Sequence, residues 1–333
     1  MTKLISIFLI VILLCFSLTS CEQNIYPISA TEFLMSTVIK ISIYDGNIDA
    51  LNSAIELCRY YDKLLSKTEP SSDIYKVNNS NGQPITVSND TVELINKALE
   101  ISEKSDNAFN PTVLQLVELW DVKNRTIPPN KSDIENALKS VNCNSIKING
   151  NQVTALDNAK LDLGGIAKGY IADKVKAHLI ESGITSAVIN LGGNTMLLGD
   201  KKGKPFTVGI QKPFGQNGET IATLELKDKT CVTSGIYQQY FEYENKIYHH
   251  IINTATGYPF DNNISSVTVI TDNSATADGL STACLGLGIE EGSKLAKQYS
   301  AELIFILTDG QLVLTDGLTK TTHKNETIIT IKN

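Results

Sequence analysis

Leu161-Asp162-Leu163-Gly164-Gly165-Ile166-Ala167-Lys168-Gly169-Tyr170 is the stretch from which the fold is read. An apolar, strand-like entry meets a paired glycine, and a helical pattern leaves it. Ala167, Ile171, Val175 and Leu179 share one face of that helix, and Gly183 is placed to end it. Glycines let backbone N–H groups approach an anion closely, and a helix N-terminus favours negative charge. Lys168 stands in the first turn, within reach of a phosphate, and Asp162 offers acceptor oxygens to a base or a hydroxyl. The spacing matches neither the P-loop nor the GxGxxG dinucleotide loop, so a plain strand–turn–helix corner fits the same residues.

Downstream of this corner, residues 186–191, 206–211, 220–226, 247–252 and 267–271 read as strands. Residues 274–286 and 290–299 read as helices, and Gly286-Leu287-Gly288-Ile289 between them as a cap. Asp309-Gly310 marks a hairpin between 303–307 and 311–314. Upstream, Phe33 to Tyr44 predicts a strand. Asn47 caps a helix that presents Leu51, Ala54, Ile55, Cys58 and Leu65. A second helix starts near Ser88 and a third follows Ser132, while strands at 145–149 and 152–156 bracket Asn149-Gly150-Asn151. This irregular mixture predicts an α+β fold rather than a regular βαβ alternation. No linker divides the chain.

The 333 residues are 42% hydrophobic and 20% charged, which supports an ample core. A formal charge of -7 implies no basic surface, so no nucleic-acid partner is expected. The N-terminus differs from the rest. Lys3 precedes an apolar run from Leu4 to Phe16, shorter than the roughly 20 residues of a membrane span. Leu18-Thr19-Ser20-Cys21 follows, with small residues at a cleavage position and the pattern of a bacterial lipobox. Residues 1–20 are expected to be a signal peptide, Cys21 a lipidation site, and 21–31 a tether to an extracytoplasmic membrane surface. Cys58, Cys143, Cys231 and Cys284 are widely spaced without a CxxC pair, so they read as small buried thiols rather than a zinc site.

Three further stretches bear chemistry. In Ala277-Asp278-Gly279-Leu280-Ser281-Thr282-Ala283, Asp278 and Thr282 lie four apart on a helix and share a face. A carboxylate and a hydroxyl are hard oxygen ligands that suit Mg²⁺, although an exposed helix turn would also carry them. His249 and His250 are adjacent in a chain with four histidines, and on a strand they point to opposite faces. Either one is a general-base candidate or a structural histidine. Asn190-Leu191-Gly192-Gly193-Asn194 and Thr233-Ser234-Gly235 read as turns or ligand loops.

Taken in order, these segments resemble the ApbE family of FAD-dependent protein FMN transferases. The resemblance runs from Phe33 onward. It includes Met35-Ser36-Thr37, Leu65-Ser66 with Ser71 and Asn78, and Phe109-Asn110-Pro111-Thr112-Val113. It continues through 162–170, 190–193, 233–235, 250–259 and 277–283. It implies an α+β fold of T-fold-like mixed sheets with packed helices, one two-lobed transferase unit over 32–333. It also implies that FMN is moved from FAD onto a Thr or Ser of an acceptor flavoprotein, with AMP leaving. On the same basis, Met35, Thr68, Ala108, Phe109, Asn110, Asp162, Lys168 and Ile252 line an FAD site. The backbone oxygen of Gly165 and the side chains of Asp278 and Thr282 hold Mg²⁺, and His250 is the base. Thr68 stands where relatives often have Tyr. The sequence departs from the family pattern at Ser36, Asn110, Asn194 and Thr254, where Gly, Asp, Asp and Pro are common, and Ser281 stands where some relatives offer another Asp. FAD hydrolysis to FMN and AMP, or flavin binding without catalysis, would use the same residues.

Overall fold

In a computed structural model of the chain, residues 26–331 are described, apart from 217, 324 and 325. The expected signal peptide and Cys21 lie outside the described residues. The chain opens with strands β1 (Ile28–Leu34) and β2 (Thr37–Ile43), followed by helices α1 (Ile48–Leu65) and α2 (Asp73–Asn78). Next come β3 (Ile85–Thr86), α3 (Asn89–Lys104), α4 (Leu114–Trp120) and α5 (Lys131–Leu138). The hairpin β4 (Ile146–Asn149) and β5 (Gln152–Ala155) leads to α6 (Ala167–Glu181). Then follow β6 (Ala187–Leu191), β7 (Asn194–Leu198), β8 (Phe206–Gln211), β9 (Thr220–Leu226) and β10 (Thr230–Gly235). The remainder comprises β11 (Tyr240–Tyr243), β12 (Lys246–His249), β13 (Ile264–Thr271), α7 (Ser274–Gln298), β14 (Glu302–Leu307), β15 (Leu312–Leu314), β16 (Leu318–His323) and β17 (Glu326–Ile331).

The α+β expectation holds. One eight-stranded sheet runs β1-β2-β6-β7-β10-β13-β14-β15, with every neighbouring pair antiparallel. A four-stranded sheet, β16-β17-β9-β8, contains the parallel pair β9/β17. Side chains alternate between two cores, as the period of two in a strand requires. Met196, Val232, Val267, Val269, Leu303 and Phe305 enter the core shared with the helices. Leu197, Cys231, Ile270, Ile304 and Ile306 enter the core shared with β8, β9, β16 and β17. All eight residues of β13 are buried for this reason. Cys58, Cys143, Cys231 and Cys284 carry free thiols, and burial pushes the thiols of Cys58, Cys231 and Cys284 up to about 12.

The caps expected from sequence are made. The Asn47 side chain accepts from the N–H groups of Asp49 and Ala50, and Ser88 accepts from Thr91. At Gly288 the backbone takes φ 83° and ψ -177°, so α7 is two helical segments joined at that glycine, as the two-helix reading expects. Two expectations are corrected. Phe33 to Tyr44 is not one strand but the end of β1, a turn and β2. β1 also begins at Ile28, so residues 28–31 pair in the sheet with 40–43. The turn was unreadable because Met35 and Ser36, at φ 51° and 57°, fill positions where Asn or Gly is the usual signal.

Helices α6 and α7 pack against each other over the sheet. A Cβ on Gly169 would stand 2.1 Å from the Ser274 carbonyl oxygen, so only glycine allows the two backbones to cross this closely. Asp173, one turn further along α6, accepts from Ser274 N at 2.8 Å, Ala275 N at 2.9 Å and Asn273 Nδ2 at 2.9 Å. α6 thereby caps the N-terminus of α7. Gly169→Ala should force the helices apart and lower the free energy of unfolding by about 2–3 kcal/mol. Denaturant melts of the purified variant check this, and a midpoint equal to wild type would contradict it.

Candidate functional site

The crossing of α6 and α7 gathers most of the residues singled out in the sequence. Asp278 is only 4% exposed, and its Oδ2 accepts the N–H of Gly169 at 2.9 Å. This carboxylate therefore caps α6 from the neighbouring helix, where the helix dipole favours negative charge. Lys168 Nζ lies 4.0 Å from the same oxygen and donates to the Gly164 carbonyl at 3.0 Å. A Cβ on Gly165 would lie 3.1 Å from the Phe109 ring and 3.6 Å from Thr282 Oγ1, so these three residues are neighbours. Gly165, Lys168, Asp278 and Thr282 thus meet at one place, with Phe109 against it.

Hydroxyls complete this corner. Ser281 Oγ donates to the Asp278 carbonyl at 2.8 Å and lies 2.6 Å from Ser234 Oγ. Because the Ser281 proton is committed, Ser234 is the donor to Ser281. Ser234 Oγ also lies 3.4 Å from Thr282 Oγ1. Sequence reading noted Ser234 beside a glycine without giving it a role. Its placement depends on the β10 strand, which the run of Thr and Ser concealed.

The donor set fits a hard cation. It consists of the Asp278 carboxylate and the Thr282 hydroxyl beside Gly165, and among the described residues no three His, Cys, Asp or Glu side chains cluster as a metal site. Zinc prefers several nitrogen or sulfur ligands. Mg²⁺ takes few protein oxygens and completes its shell with water and substrate phosphate. Gly165, Asp278 and Thr282 suit the second pattern.

The approach to α6 is held by its neighbours. Asn78 donates to the Leu161 carbonyl at 2.8 Å and accepts the Leu161 N–H at 2.7 Å. Asp162 N–H donates to the Pro111 carbonyl at 2.8 Å, which sets the 109–113 segment beside the glycine turn. Asp162 Oδ1 accepts the Gly164 N–H at 2.8 Å, and Oδ2 lies 2.6 Å from Lys67 Nζ. Nothing in the sequence pattern singled out Lys67. Asn110 Oδ1 is occupied within its own loop by Thr112 N at 2.8 Å and Thr112 Oγ1 at 2.6 Å. Ala108 is half-buried in the same loop, and Thr254 Oγ1 donates to Asn107 O at 2.9 Å, tying the loop to the histidine segment. Met35 and Thr68, far apart in sequence, line one cavity of about 340 Å³. Met35 N–H donates to Asp62 Oδ1 at 3.2 Å, which supports its left-handed backbone.

His249 and His250 have different surroundings. His249 is 3% exposed. Its Nε2–H donates to the Phe260 carbonyl at 2.9 Å, and its Nδ1 accepts the Ile251 N–H at 3.3 Å. Both nitrogens of a neutral ring are thereby used. Burial pushes its pKa down to about 4. β12 ends at His249, so His250 lies just beyond the strand. His250 Nδ1 donates to the Gln239 carbonyl at 3.2 Å, which leaves the lone pair on Nε2. Burial, with smaller contributions from His249 and the Lys168 charge, pushes His250 down to about 4 as well. Ile252 is buried with Leu116, Trp120 and Phe241, and Trp120 Nε1 donates to the Gly257 carbonyl at 2.7 Å. This third core holds the 250–259 segment in place.

Known proteins resemble this chain over most of its length. Residues 35–306 match the ApbE family. The chain is 33% identical over 299 residues to an FAD:protein FMN transferase of Klebsiella pneumoniae (strain 342), covering 88% of this chain and 92% of that protein. It is 29% identical over 336 residues to an FAD:protein FMN transferase of Treponema pallidum (strain Nichols), covering 93% and 92%. Among solved structures, the ApbE protein of Thermotoga maritima superposes with a TM-score of 0.80 at 29% identity, covering 87% of this chain and 97% of that one.

The burial of His249 has a consequence for stability. The unfolded imidazole titrates near about 6.5 and the folded one near about 4. Its contribution is therefore fully present above pH 6.5 and is lost as pH falls through the window down to 4, by about 3 kcal/mol at most. Urea midpoints should fall over that range, and His249→Phe should flatten the fall in part, leaving the share of His250. An unchanged pH slope in the variant would remove His249 as a cause.

Proposed function

This chain belongs to the ApbE family, and from that membership we propose that it is a Mg²⁺-dependent FAD:protein FMN transferase. In this reading the hydroxyl of a Thr or Ser on an acceptor flavoprotein attacks the FMN phosphorus of FAD. A new phosphoester bond forms, the P–O bond to AMP breaks, and AMP leaves. The observation that carries the reading is the convergence of Gly165, Lys168, Asp278 and Thr282 at the N-terminus of α6.

Each residue has work in this scheme. The N-terminus of α6 favours the pyrophosphate through the helix dipole. Lys168 adds a positive charge beside the Asp278 carboxylate. Asp278, Thr282 and the Gly165 carbonyl would hold Mg²⁺. When bound, the ion supplies neutralisation of charge on the pyrophosphate oxygens. His250 receives the proton of the acceptor hydroxyl at Nε2, the nitrogen left free by the Gln239 contact. Met35, Thr68, Ala108, Phe109, Asn110, Asp162 and Ile252 would line the FAD site. Asn110 does so by shaping its loop, because its side-chain oxygen is bonded to Thr112.

Incubation of the full chain with FAD, Mg²⁺ and a competent acceptor protein should give an acceptor heavier by one FMN phosphoryl group, together with AMP. Free FMN without acceptor modification, or intact FAD after long incubation, would overturn the reading. Asp278→Ala should lower kcat/KM by about 10²-fold or more. Because His250 is already neutral well below pH 6.5, the acid limb of kcat/KM should lie below the range of an ordinary histidine.

We further propose that Cys21 carries a lipid that anchors the protein to the outer side of a bacterial membrane, where the acceptor also exposes its hydroxyl. The support is the Leu18-Thr19-Ser20-Cys21 pattern after a short apolar run. Labelled palmitate should enter the wild-type chain in bacterial culture and be absent from Cys21→Ser. Equal labelling of both would remove the assignment.

A further inference from the structure

We propose that Lys67 is a positioning residue for FAD binding, the counter-charge that keeps Asp162 from repelling the pyrophosphate. The proposal rests on the flavin-transfer reading above and adds a residue to its site. Lys67 Nζ lies 2.6 Å from Asp162 Oδ2, and the other Asp162 oxygen accepts the Gly164 N–H at 2.8 Å. The Asp162 side chain is 13% exposed, so its charge is poorly screened by solvent. On the C=O side of the same residue, Lys168 donates to the Gly164 carbonyl at 3.0 Å and lies 4.0 Å from Asp278. Gly164 thus stands between two ion pairs, Lys67–Asp162 at its N–H and Lys168–Asp278 at its C=O. The four charges sum to zero.

That balance matters for an anion. A pyrophosphate approaching the N-terminus of α6 meets a favourable helix dipole with no net opposing charge. Removal of Lys67 leaves the Asp162 carboxylate uncompensated two residues before Gly164, where it opposes the ligand. The position of Lys67 in the chain fits the same role. The next residue, Thr68, lines the 340 Å³ cavity with Met35, so the 66–69 segment spans from that cavity to the glycine turn. An ion pair that serves only the fold would treat phosphorylated and unphosphorylated ligands alike. A counter-charge for pyrophosphate discriminates between them.

The test is titration of the full chain with FAD in the presence of Mg²⁺, and separately with riboflavin, which has no phosphate. Lys67→Ala should weaken FAD binding by about tenfold and leave riboflavin binding unchanged. Lys67→Arg should bind FAD as wild type does. In an Asp162→Asn background, the cost of Lys67→Ala should shrink, because the carboxylate it compensates is gone. Thermal midpoints of each variant confirm folding. Lys67→Ala binding FAD like wild type, or losing FAD and riboflavin equally, overturns the proposal while the transferase reading stands. Failure of wild type to bind FAD overturns both.

Discussion

The hydrogen bond from the Gly169 N–H to the Asp278 carboxylate is the constraint on which the rest of the site depends. A carboxylate that is 4% exposed is costly to desolvate unless it is paired and hydrogen-bonded. Here the compensation comes from the helix it caps, from the dipole of that helix and from the Lys168 amine. The bond forms only because Gly169 brings the α6 backbone against Ser274. Asp173 then fixes α7 from its N-terminal end. Asp278 and Thr282 follow one turn apart on a helix that is held at both points. A functional carboxylate is in this way also a packing element, so site geometry and helix packing stand or fall together.

The sheet supplies the platform. β10 and β13 are central strands that serve two cores: Val232, Val267 and Val269 enter one, and Cys231 and Ile270 the other. Where β10 faces the site, its hydroxyls replace apolar side chains. Thr230 meets Ser274, and Ser234 meets Ser281 and Thr282. These hydroxyls are hydrogen-bonded to one another, which makes a polar seam between strand and helix tolerable. The seam orients Thr282 with short, stiff side chains on rigid elements.

This seam also explains what the sequence concealed. Helices α1, α3 and α6 were legible because Asn47, Ser88 and Gly183 punctuate clear apolar faces. The β4–β5 and β14–β15 hairpins were legible from Asn-Gly-Asn and Asp-Gly. β10 was not, since Thr-Cys-Val-Thr-Ser-Gly carries its burial as hydrogen bonds rather than as hydropathy. The β1–β2 turn lacked its usual residues because a tertiary contact from Asp62 supports Met35. Within the site, the spacing of Asp278 and Thr282 and the turn before Lys168 suggested ligand positions without excluding an ordinary helix turn, and the family resemblance supplied Gly165. Lys67 reaches the site from an element distant in sequence, and no local pattern marks it.

The positions that depart from the family pattern bear differently on the site. Asn110 Oδ1 organises its own loop through Thr112, an acceptor role that a carboxylate would also fill. Asn194 is buried beneath α7, where Oδ1 accepts from Ser274 and Nδ2 has no partner among the described residues. Neither change removes a ligand from the Asp278 corner. Ser281 does, because its hydroxyl is committed to the Asp278 carbonyl and to Ser234, leaving a single carboxylate for a cation. On the transferase reading, a donor set this thin makes the affinity for the ion depend on phosphate oxygens from FAD. Linkage makes the dependence mutual, so the ion and FAD each tighten the other. Charge balance across Gly164 then matters more than in a carboxylate-rich site, since the protein contributes little excess negative charge to hold the ion alone.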